Sequence, residues 1–392
     1  HTLIIFSLIQ CSIEVMASFS TSLSNNDNSS SRVCDSPVLV TGGTGFVAGH
    51  LIQQLLQRGY RVRATLRDNV YAQSELFAYL SRLQMASDLL EVVPLDLVTD
   101  SRDSTWKSAF EDVEYVMHVA APTALYDEDP QSNIINPIVQ GTRTVLSYCR
   151  ETPTVKKLIL TSCMSAMTDI FEPGKKYDES CWNETATATE NIISYSKTTA
   201  EREAQQAVID GTASFQVVSI LPGVILGAHL GKRMSHSHHF FKNLTMRNGR
   251  SRGIMNVSIA IADVRDVARF HIAAMERVSN EPMERFLCAN IAMPLEKILQ
   301  IVHENIDDLY VPTRKVSDMV VRLVIRRQPS ELQNNILNRL SKPPVFSRIQ
   351  LKSLGVPLRT PAESVVDTCR YFIENNMVNF VDESDGGACL IL

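Results

Sequence analysis

The chain has 392 residues, of which 44% are hydrophobic and 21% charged, a composition typical of globular proteins. Its formal net charge of -5 gives no support for nucleic-acid binding, which normally needs a basic face. The eight cysteines include no C-x-x-C pair, which argues against a zinc site and for a reducing compartment. We therefore predict a cytoplasmic globular protein without a structural metal.

Both ends of the chain differ in composition from its centre. Residues 3–9 are apolar but no basic segment precedes them, so a leader before a start at Met16 fits better than a cropped signal peptide. Residues 19–36 are rich in Ser and Asn, a composition typical of disorder. We predict a leader or disordered segment over residues 1–36 and a flexible tail over residues 376–392.

Between these ends, short apolar runs alternate with amphipathic stretches. The predicted strands cover residues 38–40, 61–66, 89–97, 115–121, 157–161 and 216–221. The predicted helices cover residues 46–57, 136–150 and 197–209, and a basic helical stretch at 323–340 is interrupted by Pro329. This alternation predicts an α/β fold, a Rossmann-type doubly wound parallel sheet over residues 37–221. Residues 222–375 should form a smaller mixed substrate lobe that includes returning Rossmann elements.

The strongest local signal is the run VLVTGGTGFVAG at residues 38–49, in which a strand leads through glycines into a helix. Gly43, Gly45 and Ala48 fit the G-x-G-x-x-[GA] pattern. Glycine lets backbone N–H groups approach a pyrophosphate closely, and the helix N-terminus adds partial positive charge. The run therefore predicts a dinucleotide site.

The residues after the second predicted strand bear on the choice of coenzyme. NAD sites usually place a carboxylate there, whereas an arginine accommodates the 2′-phosphate of NADP. Arg67 stands at this place with Arg63 nearby, so NADP is the predicted cofactor. Asp68 follows directly and keeps NAD as an alternative. A solvated charge at a strand end is the alternative without a function.

With these motifs, the chain resembles the extended short-chain dehydrogenase/reductases, and in particular their dihydroflavonol reductase-like branch, from about residue 37 to residue 375. The resemblance implies a set of coenzyme-binding positions along the chain. These are Thr41, Gly42, Gly45, Phe46, Val47, Arg67, Asp96, Leu97, Ala120, Lys197 and Pro222.

The resemblance also implies hydride transfer between a nicotinamide and a carbonyl or secondary alcohol, with a tyrosine, a lysine four residues later and a serine. Lys197 stands at the lysine position, but Ile193 replaces the tyrosine and Cys163 the serine. Tyr195 is the nearby phenol. It would reach the site only if its helix starts late or bulges, because residues two apart do not share a helix face. The predicted catalytic residues are thus Lys197, Tyr195 and Cys163.

Two functions follow from these residues. The first is an NADP-dependent oxidoreductase acting on the CH-OH or carbonyl group of a small or medium organic substrate. The alternative is a catalytically impaired coenzyme-binding pseudoenzyme that serves as a sensor or scaffold, which the replacements at 193 and 163 favour.

Two further motifs lie outside the coenzyme site. The histidines of residues 234–239 are interpreted as a polar loop rather than a metal site. The chain ends Cys389-Leu-Ile-Leu, which fits the C-a-a-X prenylation signal and predicts weak membrane association. The acidic residues just before it weaken that prediction, since anionic lipids repel them.

Overall fold

The structure is a computed structural model that describes residues 36–67, 79–80, 87–121, 129–245, 253–307, 309, 311–327, 330–347 and 349–378. The strands are β1 Val38–Val40, β2 Val62–Leu66, β3 Leu90–Pro94, β4 Tyr115–His118, β5 Lys157–Thr161, β6 Lys176–Tyr177, β7 Gln216–Pro222, β8 Val224–Leu226, β9 Ser258–Ile259, β10 Ile261–Asp263, β11 Met283–Cys288, β12 Met293–Pro294 and β13 Val345–Phe346. The helices are α1 Phe46–Gln57, α2 Asp103–Phe110, α3 Asn136–Glu151, α4 Ile192–Ile209, α5 His236–Thr245, α6 Val264–Glu276, α7 Leu295–Asn305, α8 Asp318–Ile325, α9 Ser330–Leu337, α10 Ile349–Ser353 and α11 Pro361–Glu374.

The main sheet has seven parallel strands in the order β11-β7-β5-β4-β1-β2-β3. Val38 of β1 pairs with Val62 on one side and Tyr115 on the other. Strand order reverses at β1 and β4, which opens a crevice at the carboxyl ends of these strands where ligands of such sheets bind. The predicted fold class, a doubly wound Rossmann-type sheet, is confirmed.

Helices cover both faces of this sheet, as a parallel sheet requires. On one face Leu51 and Leu55 of α1 pack with Phe270 of α6, and all three are buried. On the other face Trp106 of α2 and Val145 of α3 belong to a second buried cluster. Each such side chain contributes about 1.5–3 kcal/mol by leaving water.

The sheet also recruits chain from beyond residue 222. Strand β11 forms its edge and α6 packs on its face. The remaining elements build a separate core that includes Phe241, Leu295 and Phe372. The predicted division at residue 221 stays a prediction, since the later chain contributes to both cores.

Several predicted boundaries differ from the structure. β4 ends at His118 instead of residue 121, because the N–H groups of Val119 and Ala120 bond to the Thr41 hydroxyl rather than to a neighbouring strand. The predicted interrupted helix at 323–340 is two helices, α8 and α9, and Pro329 lies outside the described residues. Within the part of the chain that the structure describes, no helix is both long and apolar enough to cross a bilayer.

Candidate active site

The predicted site residues follow the carboxyl ends of successive strands. Thr41 comes after β1, Arg67 after β2, Asp96 after β3, Ala120 after β4, Cys163 after β5, and Pro222 closes β7. Because these strands are parallel and adjacent, the six residues lie along one edge of the sheet. The predicted site residues thus share one edge of the sheet, and their roles at that edge stay predictions.

The glycine-rich turn approaches its neighbours closely. Gly42 has φ +70°, and a Cβ there would lie 2.9 Å from the Cβ of Ala120. The Gly43 amide donates to the Thr65 carbonyl at 2.9 Å, which ties the turn to β2. A Cβ on Gly45 would stand 3.0 Å from the Gly42 carbonyl oxygen. The turn thus leaves its backbone bare for a ligand to approach.

The N-terminus of α1 suits an anion. Gly45 is its N-cap and provides no side-chain cap, and the first turn carries no acidic residue. The first amides of a helix lack intrahelical partners, and the helix dipole adds partial positive charge. Phe46 and Val47 start this helix and are buried. These features fit the pyrophosphate of a dinucleotide, as predicted.

A hydrogen-bonded chain fixes the turn to β4 and α3. The Thr41 hydroxyl lies 3.0 Å from Nδ1 of His118, and the other ring nitrogen lies 3.2 Å from the Thr142 hydroxyl. Thr142 donates to the Ile138 carbonyl, so its oxygen is left to accept from His118. Burial lowers the pKa of His118 to about 3, and the ring is therefore neutral. A neutral ring can accept from Thr41 and donate to Thr142 at once, as this chain requires.

Arg63 in β2 and Arg67 directly after β2 differ in burial and in hydrogen-bond partners. Arg63 is buried and donates to the Glu91 carboxylate at 2.7 Å and to the Glu111 carbonyl at 2.6 Å, so it does not serve the coenzyme. Arg67 is exposed directly after β2, at the edge that carries the glycine turn. Asp68 lies outside the described residues. Of these two arginines, Arg67 is the one with an exposed guanidinium, and its binding of a 2′-phosphate stays a prediction.

The remaining predicted coenzyme positions lie after β3 and at the end of β7. The Asp96 carboxylate accepts the Val98 amide at 2.9 Å, so it shapes the turn in which Leu97 lies. After Pro222, a Cβ on Gly223 would lie 2.3 Å from the Ala260 carbonyl oxygen, so this position requires glycine. Backbone at the end of β7 is thereby held against the later part of the chain.

Lys197 reaches the same edge from α4. Its Nζ donates to the Thr161 carbonyl at 2.8 Å, at the end of β5. Burial lowers the pKa of Lys197, while Cys163 and Glu201 act in the opposite direction. Cys163 is half-buried, and its Sγ accepts the Ser165 amide at 3.5 Å. The lysine and serine positions implied by the resemblance are therefore close together.

Helix α4 decides the orientation of Tyr195. It begins at Ile192, five residues before the predicted start, and continues without a bulge to Ile209. Ile193 lies one turn before Lys197 and packs, as does Ala121 after β4, against the small buried cluster that includes Ala200. In a regular helix Tyr195 points away from that face. The condition set for Tyr195, a late start or a bulge, is not met, and its catalytic role stays a prediction without geometric support.

Comparison with known proteins agrees with this arrangement. The signature of the NAD dependent epimerase/dehydratase family matches residues 38–289. The chain belongs to this family. Tetraketide alpha-pyrone reductase 1 of Arabidopsis thaliana is 27% identical over 292 residues, 74% of this chain and 85% of that protein. Cinnamoyl-CoA reductase 1 of Oryza sativa subsp. japonica is 28% identical over 349 residues, 87% of this chain and 91% of that protein.

Solved structures share the fold of this family member. A yeast methylglyoxal/isovaleraldehyde reductase complexed with NADPH superposes with a TM-score of 0.70 at 20% identity, covering 87% of this chain and 99% of that one. Vestitone reductase from alfalfa gives 0.64 at 23% identity, covering 88% and 100%. The seven-stranded parallel sheet is thus the fold that these reductases have.

Sequence reasoning missed a buried ion pair next to Lys197, the predicted catalytic lysine. Glu201 accepts Arg285 Nε at 2.7 Å and the Ser162 hydroxyl at 2.6 Å, and the two charged side chains are 0% and 7% exposed. Arg285 also stacks over the Trp182 ring at 3.8 Å. Because the Ser162 hydroxyl donates to Glu201, Ser162 does not take the place of the serine that the resemblance implies at position 163. A glutamate one turn after Lys197, on the same helix face, was the available signal.

The histidine-rich segment differs from its interpretation as a loop, because residues 236–239 begin α5. His238 is buried and packs 4.4 Å from the Phe46 ring, next to the coenzyme turn. Its Nε2 bonds the Gly227 carbonyl and its Nδ1 accepts the Ser235 amide, so both nitrogens have backbone partners. Burial lowers its pKa to about 4. Among the described residues no metal-holding group of His, Cys, Asp or Glu occurs.

Proposed function

We propose that the protein is an NADP-dependent oxidoreductase that interconverts the carbonyl and CH-OH forms of a small or medium organic substrate. The observation that carries this proposal is one sheet edge that holds both the glycine turn with the uncapped α1 N-terminus and Lys197 at the end of β5. Family membership and the reductase names of the relatives support it.

The chain's own residues have distinct roles in this proposal. The bound coenzyme would supply the hydride. The first amides of α1 would hold its pyrophosphate, Arg67 the 2′-phosphate, and Lys197 its ribose. Cys163 borders the place where the substrate oxygen would lie, but a thiol is a weaker hydrogen-bond donor than a hydroxyl.

A second candidate is a coenzyme-binding protein with impaired catalysis, and Ile193 on the Lys197 face favours it. One experiment separates the two. NADPH binding is measured by calorimetry, and NADPH oxidation is followed with a panel of aldehydes and ketones. Binding with carbonyl-dependent oxidation supports the reductase. Binding without turnover supports the second candidate, and absence of binding contradicts both.

Arg67→Ala should weaken NADP binding by about 10- to 100-fold and NAD binding far less, because the lost guanidinium pairs with the 2′-phosphate that only NADP carries. Calorimetric titration with each coenzyme measures the two affinities. Arg61→Ala is the matched control, since Arg61 is exposed at the opposite end of β2. Equal losses for both coenzymes would contradict the assigned role of Arg67.

We also infer that the protein is cytoplasmic and that Cys389 receives a geranylgeranyl group, as a terminal leucine favours. Residues 379–392 lie outside the described part, so this rests on the sequence alone. Since one chain without a polybasic patch anchors weakly, only partial membrane residence is expected. Intact mass measurement on protein from its native eukaryotic cells tests this. An unmodified C-terminus ending in Leu392 rejects it.

A further inference from the structure

Three buried polar atoms without hydrogen-bond partners belong to residues near Cys163. They are Oγ of Ser165, Oδ2 of Asp169 and Nη1 of Arg339. Buried polar groups in native proteins are almost always hydrogen-bonded, and leaving one unpaired costs free energy. Three of them near a catalytic position indicate a site for a polar ligand group.

Two segments distant in sequence are joined here. Strand β13 pairs with β6 in parallel, Val345 opposite Lys176 and Phe346 opposite Tyr177. The Ser347 amide then donates to the Tyr177 carbonyl at 2.7 Å. The Tyr177 hydroxyl donates to the Ile170 carbonyl at 3.1 Å. This pairing brings the chain around residue 339 against the chain that follows Cys163.

Arg339 lies in a fixed turn after α9. The neighbouring Ser341 donates its amide to the Asn256 carbonyl at 2.7 Å, and its hydroxyl bonds to Asp318 at the start of α8. From this turn the Arg339 guanidinium stands 5.4 Å from the centre of the Phe171 ring, two residues after Asp169. Burial lowers the pKa of Arg339, and the charges of Cys163 and Asp169 oppose that effect. Arg339 is thus within the electrostatic range of both.

The residues on the other side are also held in place. The Asn183 side chain donates to the Ser165 carbonyl at 2.8 Å, and Thr185 donates to Oδ1 of Asp169 at 2.6 Å. These contacts use the backbone of Ser165 and one carboxylate oxygen of Asp169. They leave the Ser165 hydroxyl and Oδ2 unpaired. Both groups are therefore already positioned for a partner.

The unpaired atoms differ in what they need. Nη1 of Arg339 requires an acceptor, Oδ2 of Asp169 requires a donor, and the Ser165 hydroxyl can do either. The negative charge of Asp169 would repel a carboxylate ligand. An apolar group would form a hydrogen bond with neither Arg339 nor Asp169. A hydroxyl group both donates and accepts. We propose that Ser165, Asp169 and Arg339 form a substrate subsite that binds a hydroxyl group, so that the enzyme selects carbonyl compounds with a second oxygen.

This inference rests on the proposed reductase function, and its test uses ketones in which a hydroxyl is exchanged for a methyl group. The pairs are hydroxyacetone with 2-butanone, 4-hydroxy-2-butanone with 2-pentanone, and 5-hydroxy-2-pentanone with 2-hexanone. For the pair of suitable length, we expect kcat/KM of the full-length protein to favour the hydroxyl compound by about 10- to 100-fold. A ratio near one for all three pairs overturns the proposal.

Three variants locate the preference. Arg339→Met should reduce the ratio to near one, mainly through a higher KM for the hydroxyl compound, while the ratio of Arg322→Met, an exposed arginine of α8, should stay unchanged. Ser165→Ala removes a hydroxyl that has no partner in the free protein, so it should fold normally and still lower the ratio. A preference that survives in both Arg339→Met and Ser165→Ala overturns the proposal.

A binding measurement keeps the test independent of turnover. If no ketone is reduced, the proposed function fails and the subsite is judged by calorimetry on NADP-loaded protein with the corresponding alcohols. The pairs are 1,2-propanediol with 2-butanol, 1,3-butanediol with 2-pentanol, and 1,4-pentanediol with 2-hexanol. Tighter binding of the diol that is lost in Arg339→Met supports the subsite. Equal binding of diol and alcohol in all three pairs, or retention of the difference in the variant, rejects it.

Discussion

The double replacement Ile193→Tyr with Cys163→Ser is expected to raise kcat/KM for NADPH-dependent carbonyl reduction by about 10²- to 10⁴-fold. Ile193 lies one turn before Lys197 on the same helix, so a tyrosine there would place its hydroxyl on the face that holds Lys197. A serine at 163 would add a better donor at the end of β5. The measurement is NADPH oxidation with the best substrate of the carbonyl panel.

Tyr195→Phe is the control for this prediction. Since Tyr195 points away from the Lys197 face, its loss should change kcat/KM by less than about threefold. NADPH affinity and the circular dichroism spectrum of every variant should match those of the parent protein. If Tyr195→Phe abolishes turnover and the double replacement gains nothing, Tyr195 is the acid and α4 must rearrange around the bound coenzyme.

Arg285→Met should lower the free energy of unfolding by about 3–5 kcal/mol, the usual cost of removing one partner of a buried ion pair. The variant leaves Glu201 buried and charged, and it deprives the carbonyls of Glu179 and Cys181 of their donor. Urea unfolding followed by circular dichroism measures the change. Because Glu201 also holds Ser162, next to Cys163, activity should fall together with stability.

The exposed pair Arg58–Glu276 provides the matched control. Arg58→Met should cost no more than about 1 kcal/mol, because water already screens these charges. Combining Arg285→Met with Glu201→Leu should recover part of the loss, since no unpaired charge then remains in the interior. A loss for Arg285→Met as small as that for Arg58→Met would show that the pair at Glu201 contributes little.

The glycine turn and the elements around it could be predicted from local sequence patterns. β1, α1 and β5 have their predicted bounds, because a glycine turn between an apolar run and an amphipathic stretch restricts the backbone within a few residues. The strand pattern also predicts that Thr41, Arg67 and Ala120 lie at one edge of the sheet, because each follows the carboxyl end of a parallel strand. The resemblance to the dehydrogenase family rested on these short motifs, and the match over residues 38–289 agrees with it.

The start of α4, which sets the orientation of Tyr195 relative to Lys197, could not be predicted from a local sequence pattern. Helix α4 starts after Asn191, which has a left-handed backbone with φ 58° and provides no side-chain cap, so the usual start signal is missing and the predicted start was five residues late. That start is what turns Tyr195 away from Lys197.

Long-range pairing decided which charged residues belong to the site. Arg63 pairs with Glu91, whereas Arg67 is exposed at the end of β2, and Glu201 pairs with Arg285, 84 positions away in the sequence. Arg339 lies 5.4 Å from the Phe171 ring, in the part of the fold where β13 pairs with β6. Sequence by itself determined the elements and the dinucleotide turn, since both follow from backbone preferences over short distances. Tertiary structure decided the partners of the buried charges, because a charge inside a protein is stable only beside groups that the fold brings to it.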